Sequence, residues 1–271
     1  MRTSRENEKV RPAAVAGAFY PRDPAELRAE VTGLLSDVAA PRVGRPKALI
    51  APHAGYVYSG RTAAASFATL RDIGAVERVV VIGPAHYVPF RGIAVPTATA
   101  FATPLGSVPI DQEAIETLLD LPSVMYDDAP HAPEHALEVE LPFLQILLSS
   151  FHAVPLVVGD ADPRAVGAVL RRLWGGPETL IVVSSDLSHY HDHATARRLD
   201  AATAALIERG EWRKLGPGQA CGFLAIAGLL VEMSERGGKG QRLSLCNSGD
   251  TAGPRDRVVG YGAWMFEDGA R

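Results

Sequence analysis

The sequence predicts a single three-layer α/β domain with a mainly parallel central sheet. The chain has 271 residues, of which 47% are hydrophobic and 21% charged, a composition typical of globular proteins. Short apolar runs alternate with helical patterns along it, and one α/β domain of this length can bury most of its apolar surface. We expect residues 1–10 to form a flexible tail and residues 11–271 to form the domain.

Four short apolar runs indicate the buried strands. Near-continuous apolar sequence is typical of strands covered on both faces, and it occurs at Lys47–Pro52, Arg78–Gly83, Ala153–Gly159 and Thr179–Ser184. Helical patterns fall at Gly60–Leu70, Asp111–Leu121, Leu137–Phe151, Pro163–Leu173 and His193–Arg209. This alternation predicts crossover units and a parallel sheet. The stretches Gln241–Asn247 and Val258–Phe266 predict closing edge strands in antiparallel arrangement.

Charge and hydropathy exclude two classes of partner. The net charge is −4, so there is no broad basic field for nucleic acid or anionic lipid. The apolar runs are shorter than the ~20 residues of a membrane helix, and the charged start lacks the apolar core of a signal peptide. We therefore expect a cytoplasmic protein with neither nucleic acid nor membrane as partner.

Histidine or aspartate follows three of the predicted strands. His53 lies in APHAGYVYSG, His86 in VVVIGPAH, and Asp186 and His189 in IVVSSDLSHYH. Parallel strands bring these positions to the same carboxyl edge, where α/β proteins place their ligands. A lone histidine after a strand is commonly a cap or a loop hydrogen-bonder. The pair His53 and His86, with small neighbours and a side chain that suits iron, zinc and copper, predicts metal ligands instead.

The dense SSDLSHYHDH segment predicts two further roles. Asp186 is placed to fix the orientation of a histidine beside the metal, and His189 to act as general acid or base. Asp192 or His193 is interpreted as the cap of the helix that follows.

The segment HAPEHALEVELPF contains the order H-x-x-E-H of an inverted zincin site. Pro130 and Pro133 disfavour the regular helical turn which that site needs. We expect the helix to begin near His135, which would then line the edge without binding metal. Glu138 and Glu140 fit a preference for charge at a helix start or a partner for a nearby donor.

Cys221, in GQACGFLAIAGLLVEM, allows two interpretations. A helix N-terminus favours a thiolate that binds metal, whereas a free cysteine is more commonly a small buried apolar residue. Cys246 is expected in the core. No dinucleotide or P-loop motif and no G-x-S-x-G elbow is present.

Several separated motifs then give the sequence a resemblance that covers nearly its whole length. AGAFYP, APHAGYVYSG, GPAH, TPLG, EHALEVELPF, SSDLSH, the CG at 221 and the closing GYGAW occur in this order. In these motifs the chain resembles the MEMO family, the second component (protein B) of the AmmeMemoRadiSam system.

The resemblance implies a fold like that of class III extradiol dioxygenases, which are non-haem iron enzymes. It implies His53, His86 and Cys221 as metal ligands, with Asp186 and His189 beside them and His189 as the acid/base. It also implies that Phe19, Tyr20 and Tyr58 line a cleft, which with His135 gives four expected substrate-binding residues. An AMMECR-like protein and a radical SAM enzyme are the implied partners, besides an unknown small molecule or peptide.

A thiolate in place of the carboxylate of those dioxygenases would change the metal preference and the redox potential. The expected cofactor is iron(II), with copper or zinc as alternatives. The sequence thus supports three functional hypotheses: a metal-dependent redox protein, a zinc hydrolase in which His189 moves the proton, and a non-enzymatic peptide- or protein-binding module.

Overall fold

A computed structural model describes residues 9–39 and 44–269 of the chain. The expected flexible tail of residues 1–10 falls mostly outside these ranges, but Val10 at its end already begins the first strand. Within the described residues, no helix combines the length and the apolar character that crossing a bilayer requires.

Strands and helices alternate through most of the described chain. The strands are β1 (Val10–Arg11), β2 (Pro46–Ala51), β3 (Arg78–Pro84), β4 (Ile93–Val95), β5 (Ala100–Thr103), β6 (Gly106–Pro109), β7 (Val124–Tyr126), β8 (His152–Val158), β9 (Thr179–Ser184), β10 (His189–His191), β11 (Lys239–Asn247) and β12 (Val258–Glu267). The α-helices are α1 (Pro24–Ser36), α2 (Tyr56–Phe67), α3 (Gln112–Glu116), α4 (Leu141–Leu147), α5 (Pro163–Leu173), α6 (His193–Glu208) and α7 (Phe223–Arg236).

The main sheet has the strand order β10-β12-β2-β9-β3-β8-β4-β7, and β11 also pairs with β12. The four central strands β2, β9, β3 and β8 are parallel, as predicted. Towards the edges the pairing changes, because β4 runs antiparallel to β8 and β12 antiparallel to β2, β10 and β11. The sheet is therefore mixed, and the prediction of a mainly parallel sheet holds for its centre.

Helices cover the central strands, and every residue of β2 and β9 is buried. One group of helices consists of α1, α2 and α4, with α2 against β2, and a second group consists of α5 and α7, with α7 against β3 and β9. The second pair approaches closely at Gly228, where an added Cβ would lie 2.3 Å from Val166 Cγ1. Burial on both faces explains why the sequences of these strands are almost continuously apolar.

The predicted elements agree best for the buried central strands and for α5. The strand predictions match β2, β3, β8 and β9 to within a residue at each end, and α5 has the predicted bounds. The predicted helix at 111–121 is only five residues long, and the one at 137–151 divides into a 3-10 turn (Glu138–Glu140) and α4. A small sheet of β1, β5 and β6 and the helix α1 were not predicted.

Candidate metal centre

Three side chains from distant parts of the chain meet at the carboxyl edge of the central strands. His53 follows β2, His86 follows β3, and Cys221 lies just before α7. One donor atom from each lies within 4.8 Å of the other two. Cys221 Sγ is 3.3 Å from His53 Nε2, and the two imidazole rings are nearly perpendicular with centroids 5.1 Å apart. The structure thus brings together the three predicted ligands.

Ser184, the last residue of β9, orients the His53 ring. His53 Nδ1 lies 2.7 Å from Ser184 Oγ, and the hydroxyl also lies 2.7 Å from the Ala136 carbonyl and 2.8 Å from Glu140 Oε1. The serine has one hydrogen, which it donates to the Ala136 or Glu140 oxygen, so its oxygen accepts from His53 Nδ1–H. This tautomer, assigned from the hydrogen bonds, leaves the Nε2 lone pair facing Cys221.

Glu134 orients the second imidazole. Its Oε1 accepts a 2.8 Å hydrogen bond from His86 Nδ1, and its Oε2 accepts one of 2.7 Å from the His86 backbone amide. The amides of His135 and Ala136 donate to Oε1 as well. Burial opposes ionisation, but these bonds, His86 foremost, hold the pKa of Glu134 below its ordinary value. A carboxylate on Nδ1 directs Nε2 to the metal, as in many metalloproteins.

Cys221 is the third donor, and its environment differs from the expected one. Burial, with a contribution from Asp186, raises the pKa of the thiol to about 12, so its position just before α7 does not stabilise a thiolate. A bound cation supplies the charge that deprotonates a coordinating thiol. Two imidazole nitrogens with free lone pairs and one sulfur fit a transition metal.

Asp186 is buried behind the centre, and its predicted role needs a correction. Its Oδ1 accepts a 2.9 Å hydrogen bond from the His53 backbone amide, and burial raises its pKa to about 7. Asp186 therefore holds the main chain of His53, whereas Ser184 and Glu134 orient the rings. Sequence reasoning missed those two roles, although Ser184 ends a predicted strand and Glu134 belongs to the H-x-x-E-H segment.

His189 faces the same space with one nitrogen free. Its Nδ1 donates a 2.8 Å hydrogen bond to the Leu187 carbonyl, which leaves the Nε2 lone pair available. Burial lowers the pKa of His189, so the ring is neutral at neutral pH. A neutral imidazole beside a ligand cleft is able to accept a proton.

His53 and His86 line an open cleft of about 480 Å³, whereas Cys221 is not among its lining residues. This volume is suited to a small molecule. Phe19, Tyr58 and His135 line the cleft, as predicted. The same walls contain four residues that sequence reasoning did not select: Tyr190, Ser248, Arg257 and Tyr261.

Tyr20 is the predicted cleft residue that the structure does not bring there. Its side chain is buried, and its hydroxyl donates a 2.5 Å hydrogen bond to Glu138 Oε1. The chain turns at Gly17, where φ is +88° and the amide donates to the Tyr20 carbonyl. Phe19 lies on the cleft side of this turn, and Tyr20 lies against Glu138 instead.

The remaining candidates have structural roles. His131 lies away from the metal centre with Nε2 3.0 Å from the Ala94 carbonyl, which agrees with rejecting the inverted zincin pattern. Asp192 caps α6 by accepting from the Thr195 amide. Glu138 is the expected partner for nearby donors, since it accepts from Arg11, Tyr20 and the amides of Ala14 and Val15.

Comparison of the sequence with known proteins identifies the family of the chain. The family model described as Memo-like protein matches residues 11–265. The chain belongs to the MEMO family. It is 36% identical to a MEMO1 family protein of Aquifex aeolicus, with 95% of this chain and 99% of the relative covered. It is 35% identical to a MEMO1 family protein of Methanopyrus kandleri, with 96% and 99% covered.

Among solved structures, this MEMO family chain matches the crystal structure of an uncharacterised protein of Escherichia coli K12. The alignment covers 96% of this chain and 99% of the other, at 13% identity and a TM-score of 0.46. A score below 0.5 does not establish a shared fold.

Proposed function

We propose that this MEMO family chain is a metal-dependent redox protein that holds iron(II) between His53, His86 and Cys221. The convergence of two imidazole nitrogens and one sulfur supports the proposal, since both histidines also line an open cleft. Three protein ligands leave coordination positions open, which is the arrangement of metal sites that act on substrates rather than of structural sites. A class III extradiol dioxygenase-like fold, with dioxygenase-like activity on an unknown substrate, is part of the proposal.

Each residue of the site has a definite task in this proposal. A bound iron ion supplies Lewis acidity and one-electron redox chemistry. Glu134 and Ser184 fix the imidazole tautomers, and Asp186 holds the His53 backbone. His189 accepts a proton from the substrate at Nε2 and returns it. Because thiolate sulfur donates more charge than a carboxylate oxygen, the proposal does not extend to extradiol ring cleavage.

Metal analysis of anaerobically purified protein tests the proposal, with Cys246→Ala as matched control. Cys246 is the other free cysteine, and its sulfur pairs with Thr62 Oγ1 at 3.0 Å, outside the metal cluster. We expect one iron per chain in wild type and in Cys246→Ala after loading, and loss of that iron in Cys221→Ala. Wild-type protein that takes up neither iron nor copper would contradict the proposal, as would undiminished iron binding by Cys221→Ala.

A zinc hydrolase is the second candidate, favoured by the free Nε2 of His189 beside a set of two nitrogens and one sulfur. Such a site activates water at neutral pH. Stoichiometric zinc held in preference to iron, together with hydrolysis of an ester or amide that is lost in His189→Ala, would support it.

A non-catalytic binding module is the third candidate, because Tyr58, Tyr87 and Tyr190 are exposed around or beside the cleft. Exposed aromatic side chains are common where proteins bind peptides or partner proteins, here an AMMECR-like protein or a radical SAM enzyme. Loss of function in Tyr58→Ala, with full function in His189→Ala, would favour binding over chemistry.

A further inference from the structure

One wall of the cleft contains a cation that forms no ion pair with any carboxylate among the described residues. Arg257 precedes β12 and lines the cleft with Tyr190. Its guanidinium lies over the Tyr190 ring, 4.4 Å from the centroid. In the part of the chain that the structure describes, no Asp or Glu forms an ion pair with Arg257.

Arg257 is the one lysine or arginine among the residues that line the cleft. Asp186 is the one aspartate or glutamate among them, and it is buried at the floor, where its Oδ1 accepts from the His53 backbone amide. A ligand that enters the cleft therefore meets the guanidinium of Arg257 at the exposed wall.

Tyr190 is held in an unusual backbone conformation beneath the guanidinium. Its φ is +64°, which costs conformational energy for any residue with a bulky side chain and is concentrated at binding and catalytic sites. The pairing of β10 with the start of β12 is irregular between His189 and His191, on either side of Tyr190. Stacking covers the flat face of a guanidinium and leaves its edge of N–H donors free for a bidentate anion.

Ser248 adds a polar side chain to the lining of the same cleft. Its Oγ accepts a 3.0 Å hydrogen bond from the Val259 amide, and its side chain also hydrogen-bonds Tyr261. Arg257 therefore remains the group of this lining that is suited to bind an anion.

We propose that the cleft binds a small molecule through an anionic group, a carboxylate or a phosphate, held by the guanidinium of Arg257. The flat apolar part of the ligand packs against the aromatic walls, and its other end lies towards the metal centre. The cleft volume of about 480 Å³ accommodates a compact ligand of this kind. The orientation towards the metal rests on the proposed function, whereas the anion site itself requires no metal.

Binding of simple probes tests the anion site. Benzoate, phenyl phosphate and neutral benzyl alcohol are titrated by NMR at fixed ionic strength into wild type and Arg257→Gln. We expect Arg257→Gln to weaken binding of the preferred anion by roughly tenfold or more, since charge-assisted hydrogen bonds are the strong ones. Benzyl alcohol is expected to bind both proteins equally, and the tighter of the two anions identifies the group that the site takes.

Arg198→Gln is the matched control, because Arg198 is exposed on α6, is not part of the cleft, and its loss changes the net charge equally. We expect it to bind both anions as wild type does. Equal anion affinity in wild type and Arg257→Gln, or no saturable binding of either anion to wild type, would overturn the proposal.

Repeating the titration on Cys221→Ala separates the two proposals. Anion binding that depends on Arg257 in a chain that takes up no metal would leave the anion site standing and remove the redox function alone. Wild-type protein that binds iron but takes the anions independently of Arg257 would remove the anion site alone.

Discussion

At the residue scale, two side chains that lie outside the cleft decide which nitrogen each histidine offers to a metal. Glu134 and Ser184 bind the Nδ1 atoms of His86 and His53, and both are buried with several hydrogen bonds of their own. Such partners fix the orientation of imidazole before the metal arrives, so that binding costs little reorganisation.

Replacing Glu134 by Gln is therefore expected to weaken metal binding without removing a ligand. The amide keeps the size of the side chain but loses the charge and one acceptor, and outer partners of this kind typically contribute about 10- to 100-fold in metal affinity. Competition with a chelator of known affinity measures the change, and a melting curve of the metal-free protein shows whether the fold is intact. Unchanged affinity in a folded variant would contradict this role.

His131 makes stability depend on pH at a site remote from the metal. Burial lowers its pKa from 6.5 to about 4, and its Nδ1 has no hydrogen-bond partner. At a pH between these two pKa values, His131 is protonated in the unfolded chain and neutral in the folded chain. The contribution of His131 to stability therefore falls as the pH drops from 6.5 to 4. The shift corresponds to about 3 kcal/mol, at about 1.4 kcal/mol per unit.

The comparison with His131→Gln isolates this effect, because glutamine does not titrate and its amide can still donate to the Ala94 carbonyl. Urea unfolding is measured for both proteins at several pH values. The unfolding free energy of wild type minus that of the variant should decrease as the pH falls below 6.5. A difference that stays constant from pH 7 to pH 4 would be incompatible with the lowered pKa of His131.

The position of the two candidate histidine ligands was predictable from the sequence, whereas much of their surroundings was not. His53 and His86 follow long apolar strands, so the order of strands and residues is enough to place them at the carboxyl edge. Cys221 lies 135 residues after His86, in a loop before a helix. The sequence around it fitted a metal ligand and a buried core residue equally well. The burial of Tyr20 depends on a turn at Gly17 and on Glu138, a contact across 118 residues that no local pattern records.

At the element scale, the four central strands and α5 were predicted from a continuous or periodic apolar pattern, but length alone is not sufficient, because the 13-residue α1 was not predicted. The four central strands and α5 have six or more residues each. By contrast β1, β4 and β7 have two or three, too few for a recognisable period. The shortened α4 ends because Leu148 takes an extended conformation that leads into β8, a tertiary demand that its helical sequence does not reveal.

Two glycine-to-alanine substitutions within helices are expected to have opposite effects, because Gly228 lies at the contact between α5 and α7 and Gly33 does not. Gly228→Ala places a methyl group 2.3 Å from Val166 Cγ1, and such overpacking typically costs about 1–3 kcal/mol. In Gly33→Ala, on the exposed face of α1, the added methyl group meets nothing within 4 Å, so better helix propensity should stabilise the protein by up to about 1 kcal/mol. Thermal unfolding of both variants is the measurement, and a stabilised Gly228→Ala would show that the helices can separate at no cost.

At the scale of the whole molecule, the candidate metal centre joins residues that lie 33 and 135 positions apart in the sequence. These intervals separate His53 from His86 and His86 from Cys221. A ligand that binds only the folded state stabilises it by mass action, about 2.7 kcal/mol at a free concentration of ~100 Kd. Iron(II) is therefore expected to raise the melting temperature of wild type under anaerobic conditions.

The stabilisation by iron should disappear in Cys221→Ala and persist in Cys246→Ala. Differential scanning calorimetry with and without the metal measures it. An equal rise in all three proteins would indicate that the ion binds elsewhere.

The position of β12 in the chain has a consequence for biosynthesis. This strand pairs with β2, β10 and β11 and contributes Val259 and Tyr261 to the cleft. It follows His53, His86 and Cys221 in the sequence, so translation delivers all three candidate ligands before this wall of the cleft. The cleft is therefore complete only after nearly the whole chain has been synthesised.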